Sequence, residues 1–161
     1  MAEIHAGRMT HSHEGPLVVF LIGMRVNKPW RPDLWMPTFA AMPPMLRELS
    51  TDPESGMLGF RVVLGPSGPT VVQWWESEEK LYAYASRPDV EHRPAWTAFN
   101  ARARKAPGAV GIWHETYVVS RAESIYVSMP SFGLGGATSL VPVGSRTDRA
   151  AARLAGGATG R

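Results

Sequence analysis

The side chains able to do acid–base chemistry are few, and they sit along apolar segments rather than in one motif. His92 stands at a helix junction, in Asp89-Val90-Glu91-His92-Arg93-Pro94. His114 stands mid-segment, in Gly111-Ile112-Trp113-His114-Glu115-Thr116-Tyr117. An imidazole titrates near neutrality, so His114 could serve as a base, an oxyanion donor or a haem ligand. Each also has a plain structural alternative: His114 bonded to a backbone carbonyl, His92 at a helix cap or on the surface. Arg25 and Asn27 follow at alternate positions after Leu21 and Gly23. An arginine in an apolar strand needs a partner, for which Glu115 is the candidate. Asn27 could orient a substrate carbonyl or dioxygen, or simply make a turn. His11 and His13 have a spacing that can grip a metal, but no third ligand is fixed nearby, so no metal site is expected.

Composition removes other chemistries. The 161 residues contain no cysteine, which excludes disulfides, thiolate metal sites, iron–sulfur clusters and thiol nucleophiles. The sequence has no glycine-rich phosphate loop, no His-Glu-x-x-His and no Gly-x-Ser-x-Gly elbow, so hydrolase and dinucleotide readings lose weight. The net charge is +3. Residues 1–133 hold 13 basic and 13 acidic side chains, and the excess comes from Arg146, Arg149, Arg153 and Arg161 against Asp148. A neutral body does not suit a phosphate backbone, so no nucleic acid is expected as partner. Leu17 to Gly23 is too short to cross a bilayer, so no membrane association is expected, and the chain reads as cytoplasmic.

Six tryptophans are many for this length. They fit core packing, or an aromatic-walled pocket for a planar apolar ligand, with Trp74, Trp75 and Trp96 as candidate walls. Trp74 and Trp75 are consecutive in a strand, so they point to opposite faces and cannot both line one cavity. The same alternation puts Ile112, His114 and Thr116 on one face, with Trp113, Glu115 and Tyr117 on the other.

The elements that must position these groups follow from patterning. Residues 1–15 read as a flexible arm. Val18 to Val26 is apolar at every other position on both faces and predicts a buried strand. Asp33 is placed to cap a helix with Trp35, Phe39, Met42, Leu46 and Leu49 on one side, which Pro43-Pro44 should kink or restart. Met57 to Leu64 and Thr70 to Trp75 form a hairpin about Gly65-Pro66-Ser67-Gly68-Pro69. Ser77 caps the next helix, with Leu81, Tyr84 and Ala85 inward. A further helix carries Trp96, Phe99 and Ala103. Ala109 to Val119 is a long strand, and Glu123 to Ser128 another. The domain therefore spans 16–130. Residues 131–161, with seven of the 16 glycines, read as an irregular tail.

The order βαββαβ is the ferredoxin-like α+β arrangement, an antiparallel sheet with helices on one face. A sheet apolar on both faces needs a second cover. The expected cover is a second copy of the chain, giving a homodimer, unless the tail folds over instead.

Six blocks carry a resemblance over nearly the whole chain. They are Leu21-Ile22-Gly23-Met24-Arg25-Val26-Asn27-Lys28, Ala41-Met42-Pro43-Pro44-Met45-Leu46-Arg47-Glu48-Leu49, and Val72-Gln73-Trp74-Trp75-Glu76-Ser77 with Leu81-Tyr82-Ala83-Tyr84-Ala85 after it. The others are His92-Arg93-Pro94-Ala95-Trp96-Thr97-Ala98-Phe99-Asn100, Val110-Gly111-Ile112-Trp113-His114-Glu115-Thr116-Tyr117 and Met129-Pro130-Ser131-Phe132-Gly133-Leu134-Gly135. They resemble the fumagillin-type polyketide monooxygenase-like family, within the antibiotic-biosynthesis monooxygenase superfamily. The resemblance implies a dimeric α+β barrel and a monooxygenase acting on a small apolar, aromatic or polyketide-like molecule without a cofactor. His114 would be the base or donor, with Asn27 and Arg25 orienting the substrate and stabilising enolate charge. Trp74, Trp75 and Trp96 would shape the pocket, with Glu115 and Tyr117 as further substrate-binding candidates. Similar folds also hold haem b, as haem monooxygenases and aldoxime dehydratases do, and then His92 or His114 would be the ligand. A third reading is a small-molecule-binding dimer without turnover.

Overall fold

The computed structural model describes residues 2–87 and 92–156. Its strands are β1 (His5–Ser12), β2 (Leu17–Val26), β3 (Met57–Gly65), β4 (Gly68–Trp75), β5 (Val110–Val119), β6 (Tyr126–Met129) and β7 (Ser139–Pro142). Its helices are α1 (Pro32–Thr51), α2 (Glu78–Ser86), α3 (His92–Lys105), α4 (Gly133–Ala137) and α5 (Ala150–Gly156). Four strands form an antiparallel sheet in the order β3-β4-β2-β5, and β6-β1-β7 form a second sheet. The first sheet with α1, α2 and α3 is the expected βαββαβ body.

Register decides which side chains share a face, because directly paired residues point the same way. Ile22 pairs with Val71 on β4 and with His114 on β5. Phe20 pairs with Gln73 and Thr116. These residues belong to the inner face, under the helices. Gly23 pairs with Thr70 and Trp113, Leu21 with Val72 and Glu115, and Val19 with Trp74 and Tyr117. These form the outer face.

The core under the helices gathers Val18, Trp75, Leu49 and Leu81. Trp75 is 1% exposed, and its indole N–H donates to Gln73 Oε1 at 2.9 Å. A buried indole needs such an acceptor. Ser77 caps α2 as expected, accepting the Lys80 N–H at 3.2 Å.

Four expectations are corrected. Helix α1 starts with Pro32 at its first position and has no side-chain cap, while Asp33 bonds Arg31 instead. The missing proline N–H costs nothing in a first turn, where that donor has no intrahelical acceptor. Of the kink or restart expected at Pro43-Pro44, the restart does not occur, since the same helix runs on through Pro37, Pro43 and Pro44; its packed face outweighs the lost hydrogen bonds. Residues 5–12, read as part of an arm, form the central strand of the second sheet. Much of the segment read as an irregular tail is likewise ordered, because β7 pairs with β1 from Met9–Pro142 to Ser12–Ser139.

The segment after β6 also covers part of the outer face. A Cβ added to Gly59 would lie 2.9 Å from the Ala137 side chain, so glycine lets α4 approach β3 closely. The Arg61 guanidinium lies 4.2 Å over the Phe132 ring. The face that was expected to need a cover thus receives one along β3 from the chain itself. Over β2, the Trp113 indole lies against Gly23, where an added Cβ would come within 2.6 Å of it.

Candidate active site

The helices do not close completely on the inner face. They leave a cavity of about 420 Å³ between sheet and helices, within the size range of small-molecule sites. The sheet supplies Phe20, Ile22, Val71, Ile112, His114 and Thr116 as one wall. Helix α1 supplies Thr38, Phe39, Met42 and Leu46; α2 supplies Leu81 and Tyr82; α3 supplies Trp96, Phe99 and Arg102. The lining is mostly carbon, with Thr38, Tyr82, Arg102, His114 and Thr116 as its polar members. No carboxylate lines it among the described residues. The same residues hold no cluster of three histidines or carboxylates fit for a metal.

His114 reaches this wall by the alternation of β5. Its ring packs against Phe20, with centroids 5.6 Å apart and planes tilted by 36°. Trp96 stacks on Phe99, three residues on along α3, at 5.6 Å and 25°. Together they form an aromatic side to the cavity, suited to a flat apolar molecule.

The other predicted site residues lie elsewhere. Trp75 faces inward but is absorbed in the core beside Leu49 and Leu81. Trp74, Glu115 and Tyr117 belong to the outer face by register. The Tyr117 hydroxyl donates to Glu115 at 2.7 Å, and this bond, with the carboxylate charge, raises the pKa of the phenol. Arg25 follows Gly23 on the outer face. It does not meet Glu115; its Nε–H donates to Asn27 Oδ1 at 3.0 Å. Asn27 in turn donates to the Gly108 carbonyl at 3.0 Å, which pins the turn before β5. One sheet therefore separates Arg25, Glu115 and Tyr117 from His114. Within a single chain, only His114 and Trp96 of the eight predicted catalytic and substrate-binding residues line the cavity. His92 opens α3, and its side chain lies outside the described residues.

Sequence reasoning missed Thr38 and Arg102. Thr38 Oγ1 and Arg102 Nε are closed off from solvent, and neither has a hydrogen-bond partner among the described residues. A signal existed for both. Thr38 stands four residues before Met42, and Arg102 three after Phe99, on the stripes that face the sheet. Haem b would require an axial ligand and accommodation of a macrocycle with two carboxylates. The described lining offers about 420 Å³, one imidazole that could serve as axial ligand, and one cation, which leaves the second carboxylate without a charged partner.

Comparison with known proteins places this geometry. The profile of the monooxygenase af470-like family matches residues 17–134. Monooxygenase af470 of Aspergillus fumigatus is 30% identical over 156 residues, covering 83% of this chain and 52% of the relative. The chain thus spans about half the length of the curated relative it matches. Among solved structures, an aldoxime dehydratase in complex with butyraldoxime superposes with a TM-score of 0.64 at 15% identity, over 81% of this chain and 42% of that one. SnoaB, a cofactor-independent oxygenase from Streptomyces nogalater, aligns with a TM-score of 0.45 at 13% identity, over 67% of this chain and 97% of that one. The dehydratase likeness establishes a shared fold. The family profile, which covers most of the chain including β2, α1 and the cavity strand β5, establishes more: the chain belongs to the monooxygenase af470-like family.

Proposed function

We propose that the chain is a cofactor-free monooxygenase acting on a small apolar molecule, aromatic or polyketide-like, held in the cavity between sheet and helices. The observation that carries this reading is the position of His114, the one imidazole among the described residues that line a mostly apolar cavity. The family of the chain supports the reaction class. A substrate with an acidified CH2 group would give a proton to the imidazole. The resulting carbanion would pass electrons to dioxygen and form a C–O bond. Loss of water from the hydroperoxide then leaves a carbonyl, so CH2 plus O2 yields C=O plus H2O. The substrate supplies all four electrons, and no external reductant is needed. Apolar walls keep water from competing for the carbanion.

Anthrone, an aromatic ketone with such a CH2, is a suitable probe. Purified protein supplied with haem during expression should show no Soret band. It should still consume one dioxygen per carbonyl formed. A Soret band lost in a His92 or His114 variant would replace this reading with the haem one. A ligand-filled cavity with no oxygen uptake would favour a binding protein.

We also propose a homodimer, in which a second copy packs against the part of the outer face left open by α4. One feature supports it: Trp113 and Tyr117 remain 38% and 51% exposed there. Trp113→Glu should shift the sedimenting species from dimer to monomer. A wild-type chain that sediments as a monomer, or a variant that remains dimeric, would refute the assembly.

A further inference from the structure

We propose that Arg102 and Thr38 form an anion-binding end to the cavity, and that its occupant is a flat apolar molecule carrying one anionic oxygen, as carboxylate or enolate. This rests on the reading above in one respect, that the cavity is the substrate site. Arg102 comes from α3 and Thr38 from α1. Both line the main cavity and also a small recess behind it, beside Leu34 and Val110. Their Nε and Oγ1 atoms are shut off from solvent without a partner among the described residues.

Buried polar atoms in folded proteins are nearly always bonded, so two unmet atoms on residues that line one cavity need an explanation. Thr38 has a local remedy that it does not use. On the same helix, Ser50 and Thr51 turn their hydroxyls back to the carbonyls of Leu46 and Arg47, at 2.6 and 3.0 Å. Such back-bonding is the usual fate of a helical hydroxyl. Arg102 is in no ion pair among the described residues. A guanidinium N–H can only donate, and a threonine hydroxyl is free to donate. Both therefore ask for an acceptor, and the cation asks for a negative one. An oxygen anchored there would hold the rest of the molecule between the aromatic side and His114. For an enolate, the same contact would stabilise charge as it develops.

The probes are 1-naphthoate and its neutral counterpart 1-naphthamide, titrated into the intact chain by calorimetry. The wild type should bind naphthoate about tenfold or more tighter than the amide, as expected for a charge-assisted contact shielded from water. Arg102→Met should erase that preference while leaving the amide within about twofold. Thr38→Val should reduce the preference in part, and it serves if the arginine variant fails to fold. His114→Ala should retain the preference, since it removes the base and not the anion site. Equal binding of both probes by the wild type would overturn the proposal. So would binding of neither, or a preference that survives Arg102→Met or is unmoved by Thr38→Val. Loss of turnover with naphthoate selectivity intact would count against the oxygenase reading alone.

Discussion

Replacing His114 by alanine should lower oxygen uptake on an acidified-CH2 substrate by about 10²- to 10⁴-fold, the usual contribution of a positioned general base. The fold should survive. His114 sits on β5, an outer strand of its sheet, and its recorded contact is the tilted packing on Phe20. Truncation there removes little buried area, so stability should change by less than about 1 kcal/mol. Two further variants separate chemistry from packing. His114→Gln retains hydrogen-bonding capacity but not basicity, and should be as slow as the alanine variant. Added imidazole should restore part of the rate to His114→Ala, because the deletion leaves room beside Phe20, and should do nothing for the glutamine variant. Turnover of His114→Ala at more than about a third of the wild-type rate would make His114 part of the wall and not the base.

How far the sequence led depends on which physical signal carried each residue. Alternation along β5 assigned His114 and Trp113 to opposite faces, and the register with β2 agrees. Helical periodicity found Phe39, Met42 and Leu46, which line the cavity. Alternation alone could not separate Arg25 on β2 from His114 on β5. Only the pairing of Ile22 with His114, and of Arg25 with Gly111, sets the two side chains on different faces. Pairing is a tertiary fact, and no pattern within one strand supplies it. Thr38 and Arg102 were passed over because a polar residue on an apolar stripe reads as noise until its surroundings are known. The second sheet was invisible for a related reason. The segment 5–12 is mostly polar and the segment 139–142 is only four residues long, and they become strands through each other and β6.

That second sheet is held by a cluster whose loss should have the largest effect on stability. Arg153 on α5 is charged, yet its side chain is only 7% exposed. Its Nε–H donates to Glu123 at 2.7 Å, and its Nη1 donates to the carbonyls of Thr147 and Asp148 at 2.9 and 2.8 Å. A further ion pair joins Asp148 to Arg8 on β1. One guanidinium thus ties α5 to the turn before it and to the segment leading into β6. Arg153→Ala would strand Glu123 and two carbonyls. Breaking a buried pair costs about 3–5 kcal/mol, and Glu123 keeps some access to water, so the lower end applies. About 3 kcal/mol corresponds to roughly 6–12 °C in Tm for a chain of this size. Replacing both partners with apolar residues, as in Arg153→Met with Glu123→Leu, should recover much of that loss, because no charge is then left alone. The adjacent His11 gives the seam a pH dependence. Burial, and then the charge of His13, push its pKa below the ordinary value, against the pull of Glu123. The unfolded chain therefore takes up this proton first, and the folded state loses stability as pH falls below about 6.5. His11→Asn should flatten that part of the Tm profile. If Arg153→Ala melts within about 1 °C of the wild type, the cluster is not what holds the second sheet to the body.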